Sequence, residues 1–374
     1  MSLIPEGVKI YFGKTLDKKI AIENRIGDIF KKNSYNLIEL PIYEYYSDLE
    51  ESFSDTMKKN MFKFVDRDSG KILALRPDMT SLLAKLMKLR KDEIVFPERI
   101  YYTGDVFRYH KIKSGVYREI CQAGVELIGA KGFRADIEVV TMAIDVMKAL
   151  GLNAPKLEIG DVRILETIFN KLGINGEERE ELKALISKKD IPELEKLVKA
   201  KGYDKIVTKL PLAIGGKEIL TEMEEYGTEE LKELVEALDR MGYKDNYVID
   251  LGIVKEMGYY TGLVFNGMCS GSGDFIINGG RYDKLMGFPA LGFVVNIDAV
   301  AEIVGDFGSE EKNGYYITGK NYDKMFKEKL KYTAEGERVE ISILDMETAE
   351  ERAYAERKGF RYIVDTEKMS IEEL

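Results

Sequence analysis

Tryptophan is absent from the 374 residues, histidine occurs once, as His110, and cysteine twice, as Cys121 and Cys269. With no further His or Cys at ligand spacing, these residues exclude a zinc-type site, and two cysteines cannot build a disulfide framework. No metal or cofactor is expected, and a reducing cytoplasm fits best. No apolar run approaches the ~20 residues that span a bilayer, so no membrane role is expected. The N-terminus shows neither a basic, apolar export leader nor an Arg/Ser-rich transit segment. Basic residues are also in deficit. Lys and Arg number 56 against 66 Asp and Glu, and the net charge of −10 opposes the counterion release behind most non-specific nucleic-acid affinity.

What is there reads as a globular chain of roughly two or three domains, at about 100–200 residues each. Residues 15–31 place Leu16, Ile20, Ile26 and Phe30 at near-helical spacing, and the β-rich "YNLIELPIYEYY" follows. "KILALRPDMTSLLAKLMKL" reads as a strand ending at Pro77 and then a helix that Thr80 or Ser81 can cap. "ERIYYTGDVFRYH" and "VYREICQAGVELIG" form an expected antiparallel hairpin around the turn 111–115. A helix at 135–150 carries Ile137, Val140, Ile144 and Met147 on one face. Residues 161–241 are Lys/Glu-rich and helical in pattern, the β pattern returns from Tyr247, and 313–374 read as a β-α-β-α-β unit. The expected domains are therefore a core of 1–160 and 242–306, a helical insertion of 161–241, and a small C-terminal α/β unit of 307–374.

Strand residues alternate faces, so Arg118, Gln122 and Glu126 share one side of 117–127, with Gly124 leaving space between the last two. A cation, an amide and a carboxylate around a gap suit a small zwitterion, each of whose charged ends needs a partner once water is excluded. The same face also suits the wet side of an antiparallel sheet. "LRPDMT", "GYYTG" and "NGGRYDKL" are each weak signals alone, paired tyrosines being common in cores and "GGR" in turns.

Taken in order, these segments resemble the catalytic core of the histidyl-tRNA synthetases, a class II aminoacyl-tRNA synthetase family, over roughly residues 5–305. "SYNLIELPIYEYYSDLEE" resembles the family's first, dimer-forming motif, "LRPDMT" its "LRPEGT", and residues 107–129 its second motif. "KEMGYYTGLVF" is similar to "RGLDYYTGTVF" and "NGGRYDKL" to "GGRYDGL". The resemblance implies an α+β fold: an antiparallel sheet flanked by helices, with the helical insertion and the small α/β unit appended. It also implies that Asp78, Thr80 and Gln122 hold the α-amino group of a bound histidine. Glu126, Tyr260 and Tyr282 then surround the imidazole, Arg108 faces the carboxylate, and Tyr117, Tyr259 and Lys255 complete the set.

The departures concern ATP. His110 stands where the second motif has a nucleotide-facing Glu, and Val116 where an Arg precedes the hairpin tyrosine. In "LGFVVNIDAV", compared with the third motif "GFALGLERL", Asn296 replaces a glycine and Ala299 the ATP-binding arginine. Lys255 replaces the histidine-specific catalytic arginine and lacks its planar fork, and Glu256-Met257-Gly258 replaces "GLD". Each lost transition-state contact costs ~10²–10³ in rate, so no catalytic residue is expected: adenylate formation is crippled while histidine binding is retained. His110 is expected to be a surface hairpin residue.

A retained amino-acid pocket with broken ATP motifs resembles the synthetase-like regulatory subunits of ATP phosphoribosyltransferase, the first enzyme of histidine biosynthesis. That resemblance implies a non-catalytic chain, a homodimer within a hetero-octamer of four and four. Its partner would be the short-form catalytic subunit, its effector histidine, and tRNA would not bind. Residues 310–374 fit, with 12 Lys and Arg against 16 Asp and Glu, a net −4 where an anticodon-reading domain should be basic. Two other readings stay open, a divergent histidyl-tRNA synthetase and a histidine sensor with another partner.

Overall fold

The computed structural model describes residues 4–50, 53, 55–109, 117–255, 258–305, 313–344 and 346–374. The expectations for His110, the turn 111–115, Val116, Glu256 and Met257 lie outside the described residues. The chain divides into two compact units, Met1–Gly305 and Asp306–Leu374.

Among the described residues, twelve strands lie in the first unit: β1 Asn36–Leu37, β2 Tyr43–Tyr45, β3 Lys63–Val65, β4 Ile72–Leu75, β5 Glu98–Phe107, β6 Glu119–Ile128, β7 Lys156–Asp161, β8 Ile214–Gly215, β9 Tyr247–Asp250, β10 Leu263–Met268, β11 Ile277–Arg281 and β12 Ala290–Asn296. Nine of them form one sheet in the order β1-β5-β6-β12-β11-β10-β7-β9-β8, and β2-β4-β3 make a small second sheet. From β5 to β7 every pairing is antiparallel, while β1 joins β5 and β9 joins β7 in parallel, and β8 closes the edge antiparallel to β9. Sequence-distant segments thereby become neighbours: β6 pairs with β12, setting Glu126 opposite Gly292 and Gln122 opposite Asn296.

One face of the sheet is closed by the helices Lys14–Lys32 and Phe133–Ala149, over the buried Cys121, Ala123, Val125 and Leu127. The first of these helices corrects the pattern expected from sequence, because Ile22, Ile26 and Phe30 are buried while Leu16 and Ile20 are exposed. At 100° per residue Leu16 sits about 240° and Ile20 about 200° around the helix from Ile22. The other face carries Ile100, Tyr102 and Tyr282 against helix Thr80–Leu89, whose Leu82 and Leu83, with Met79 just before it, fill the same core. Between β7 and β9 the chain runs through helices, among them Val162–Lys171, Gly176–Lys188, Ile191–Lys201 and Glu229–Arg240.

The second unit holds β13 Tyr315–Thr318, β14 Val339–Ile341, β15 Tyr362–Asp365 and β16 Ser370–Glu373, in the order β14-β13-β15-β16. Helix Tyr322–Ala334 covers one face through Met325 and Tyr332, and helix Thr348–Arg357 packs Ala355 against Tyr316 and Phe360 on the other. The parallel β13, β14 and β15 match the expected alternation. The antiparallel edge strand β16 was not expected, because Ser-Ile-Glu-Glu has only one apolar residue to betray it.

Candidate functional site

On the face of the sheet opposite the two long helices lies a cavity of ≈ 380 Å³. Nine of the ten residues anticipated for the site line it: Asp78, Thr80, Arg108, Gln122, Glu126, Lys255, Tyr259, Tyr260 and Tyr282. They come from the turn before helix Thr80–Leu89, the hairpin β5–β6, the loop between β9 and β10, and the residue after β11. Tyr117 is not among them. It lines a separate cavity with Asn296, Asp298, Ala299 and Glu302, and its ring carries the Lys9 ammonium 3.7 Å from the centroid. Arg118, on the same strand face as Gln122 by parity, precedes the sheet: its N–H donates to Gly7 O at 2.7 Å and its guanidinium lies over the Tyr109 ring.

At the acidic end, Asp78 is buried and its Oδ1 accepts from the Ser81 N–H at 2.9 Å. The cap of helix Thr80–Leu89 thus comes from Asp78 and not, as anticipated, from a hydroxyl at its start. The Thr80 hydroxyl is used elsewhere, donating to Glu126 Oε1 at 2.8 Å, and Tyr102 donates to the same oxygen at 3.0 Å. Glu126 Oε2 and the Tyr282 hydroxyl are buried without a hydrogen-bond partner among the described residues. A Cβ on residue 292 would lie 2.1 Å from that Oε2 and 2.5 Å from that hydroxyl, so glycine there lets both groups converge on one point. Buried polar atoms ordinarily have partners, so two converging orphans mark where a polar ligand group fits.

Burial pushes the Glu126 carboxyl up to about 8, the Thr80 and Tyr102 hydrogen bonds pulling against it and the charge of Asp78 adding to it. Burial likewise raises Asp78, opposed by the Ser81 hydrogen bonds and the charge of Arg108. Elsewhere in the wall, burial draws the Lys255 ammonium down to about 7 against the pull of Glu158. Its Nζ donates to Phe265 O at 2.9 Å and Asn266 Oδ1 at 2.5 Å. Arg108 is steered by Nε donating to Pro77 O at 2.9 Å. The rings of Tyr259, Tyr260 and Tyr282 meet with centroids 5.0–6.2 Å apart, an aromatic wall for a flat ligand. Acid, cation and aromatic wall together are what a zwitterion with a polar ring requires.

Against these observations, the family model described as histidyl-tRNA synthetase matches residues 14–300. Relatives named ATP phosphoribosyltransferase regulatory subunit, from Caldanaerobacter subterraneus subsp. tengcongensis and Clostridium acetobutylicum, are 31% and 29% identical, over 98% and 99% of this chain and 99% and 97% of theirs. This chain belongs to the histidyl-tRNA synthetase-like family of ATP phosphoribosyltransferase regulatory subunits. A solved structure described as an ATP phosphoribosyltransferase regulatory subunit/histidyl-tRNA synthetase from Bacillus halodurans aligns with a TM-score of 0.85 at 27% identity, covering 98% of each chain. The histidyl-tRNA synthetase from Nostoc, at 17% identity and a TM-score of 0.79, covers 100% of this chain and 97% of its own and shows the shared fold.

Asn296 and Ala299, the positions compared above with the synthetase third motif, line the Tyr117 cavity. Asn296 Oδ1 caps helix Ile297–Ile303, accepting from the Ala299 N–H at 3.1 Å. Asp298 is committed to the frame, its Oδ2 accepting from the Cys121 N–H at 2.7 Å and its Oδ1 from the Tyr11 hydroxyl at 2.8 Å. Asp274 and Glu302 complete an acidic lining.

Tyr102, Gly292 and Asn266 are among the residues of the main site that escaped the sequence. Tyr102 is legible only from the hairpin register, which sets it opposite Gly124. Its ring takes the space that glycine leaves: a Cβ on Gly124 would fall 2.7 Å from the ring, so the gap serves a neighbouring side chain and not a ligand. Gly292 and Asn266 enter through strand pairings that no local pattern specifies.

Proposed function

We propose that this chain is a non-catalytic regulatory subunit of ATP phosphoribosyltransferase in histidine biosynthesis, and that its cavity binds free histidine. The observation that carries the ligand is the pair of buried, unpartnered groups, Glu126 Oε2 and Tyr282 OH, meeting over Gly292 in a cavity that also holds Asp78, Arg108 and Lys255. Asp78 and Gln122 receive the ammonium, Glu126 and the tyrosines the imidazole, and Arg108 and Lys255 the carboxylate. The near full-length relatives named regulatory subunits support the role.

On this reading the histidine-binding core spans 1–160 and 242–306, the helical insertion 161–241, and 307–374 form the appended unit. The chain dimerises and assembles with the short catalytic subunit in a cytoplasmic hetero-octamer, raises its activity, and passes on inhibition by histidine. ATP is not used. Among the described residues lining the Tyr117 cavity Ala299 leaves no arginine, and Glu302 already holds the Lys9 ammonium at 2.6 Å, so Asp274 remains to repel a triphosphate.

The test mixes the purified chain with the short catalytic subunit. Phosphoribosyltransferase activity rises, histidine then lowers it, and histidine affinity differs between the free and assembled chain, because coupling between sites is reciprocal. If rate, histidine sensitivity and affinity are all unchanged on mixing, the regulatory reading fails. Histidine-dependent ATP–pyrophosphate exchange by the chain alone would favour a divergent synthetase instead.

A further inference from the structure

We infer that Tyr102 is a positioning residue: seated over Gly124, it holds the Glu126 carboxylate with one oxygen occupied and the other presented to the ligand. This rests on the reading of the cavity as a histidine site and deepens it.

The argument starts from the two oxygens of Glu126. Oε1 accepts from Thr80 at 2.8 Å and from Tyr102 at 3.0 Å, whereas Oε2 has no partner among the described residues. A carboxylate free to turn about its terminal torsion exchanges its oxygens, since that torsion is broad and roughly two-fold. Two donors arriving from different elements, the start of helix Thr80–Leu89 and strand β5, fix its plane. Tyr102 is itself held firmly. It is 1% exposed, and its ring lies across the bare backbone of Gly124, its cross-strand partner. Any side chain at 124 would push the phenol off the carboxylate, so the pair acts as a unit.

The device also sets which ligand group fits. With Oε1 spent, the site offers a single acceptor beside the Tyr282 hydroxyl, and a ligand must bring an N–H to that point. A ring of the same size without such a donor strands Oε2 and is rejected. Tyr102 further assists ionisation, because a hydrogen bond donated to the charged form opposes burial. The described titratable groups around Glu126 are Asp78 ahead of helix Thr80–Leu89, Tyr102 on β5, Tyr259 and Tyr260 ahead of β10, Tyr282 after β11, and Tyr35 ahead of β1, which feels its charge. The β12 position that meets it is Gly292.

The experiment compares wild type, Tyr102→Phe and Gly124→Ala in two measurements. In the first, the Glu126 side-chain carboxyl, assigned by its loss in Glu126→Gln, is titrated by carbon-13 NMR without ligand. Its midpoint moves to higher pH in Tyr102→Phe, which keeps the ring and loses only the donor. In the second, calorimetry with histidine and histidinol, which share the imidazole, shows both weakened about tenfold at pH 7. The loss shrinks toward pH 9 as Glu126 ionises without help. Gly124→Ala reproduces both changes if it folds, and Tyr102→Phe decides alone if it does not. An unmoved titration, or a loss of affinity that is the same at pH 7 and pH 9, overturns the inference. If wild type binds no histidine, the histidine reading fails by itself, and the carboxyl titration still decides the role of Tyr102.

Discussion

The Thr80 hydroxyl donates to Glu126 Oε1 across 2.8 Å, joining the start of a helix to a central strand 46 residues away in sequence. Through that bond the carboxylate is held in a pocket whose burial works against its charge, and the chain keeps a destabilised group in the wall of a cavity.

Glu126→Gln is therefore expected to stabilise the empty protein and to weaken histidine. The carboxyl titrates near 8 when folded against a reference of 4.5. Between those values the folded state binds a proton that the unfolded chain lacks, so stability falls as pH rises toward 8. The amide removes that slope: in urea denaturation the variant gains up to about 5 kcal/mol over wild type at pH 9 and loses the advantage toward pH 5. Calorimetry shows its histidine affinity lowered by about 1–3 kcal/mol. Equal histidine binding by variant and wild type would remove Glu126 from the site.

Histidine binding near pH 7.5 is expected to move protons in opposite directions at the two ends of the cavity. A ligand N–H on Glu126 favours the carboxylate and releases a proton from a group titrating near 8, whereas a ligand carboxylate beside Lys255 favours the ammonium of a group titrating near 7. In wild type the two largely cancel. Calorimetry in buffers of different ionisation enthalpy should show net release for Lys255→Met and net uptake for Glu126→Gln. The same sign in both variants would contradict the assignment.

Gly292→Ala is expected to cost about 1–3 kcal/mol of stability and to abolish histidine binding. Its methyl would lie 2.1 Å from both Glu126 Oε2 and Val125 O, and the latter is backbone that cannot rotate away. Denaturant melts and a histidine titration measure the two effects.

Ala299→Arg is expected not to confer ATP–pyrophosphate exchange. The new guanidinium meets Asp274 before any phosphate does and sits beside the Lys9 ammonium that Glu302 already holds, and Lys255 still lacks the fork of an arginine. Exchange above a no-enzyme control would show that one residue separates this chain from adenylation.

Sequence order and chemistry carried the site a long way. Asp78, Gln122, Glu126, Tyr260 and Tyr282 belong to short motifs whose spacing survives in the chain, and all five line one cavity. Tyr117 failed to join them although it lies only five residues before Gln122, because β6 starts at Glu119 and the residues before it pack with the N-terminal segment. The cap of helix Thr80–Leu89 was misplaced for a related reason. A hydroxyl at a helix start serves equally as a cap or as a long-range donor, and only the position of Glu126 decided between them.

The sequence by itself determined which segments alternate with period two, which are helical, and which polar residues stand at their ends, because these follow from backbone geometry within a few residues. The tertiary structure alone decided that β6 pairs with β12, which sets Gly292 under Glu126, and that the Tyr102 ring fills the space above Gly124. Those are contacts between segments up to ~170 residues apart, formed only when loop closure is offset by burial of the whole sheet, and no local pattern encodes a long-range register.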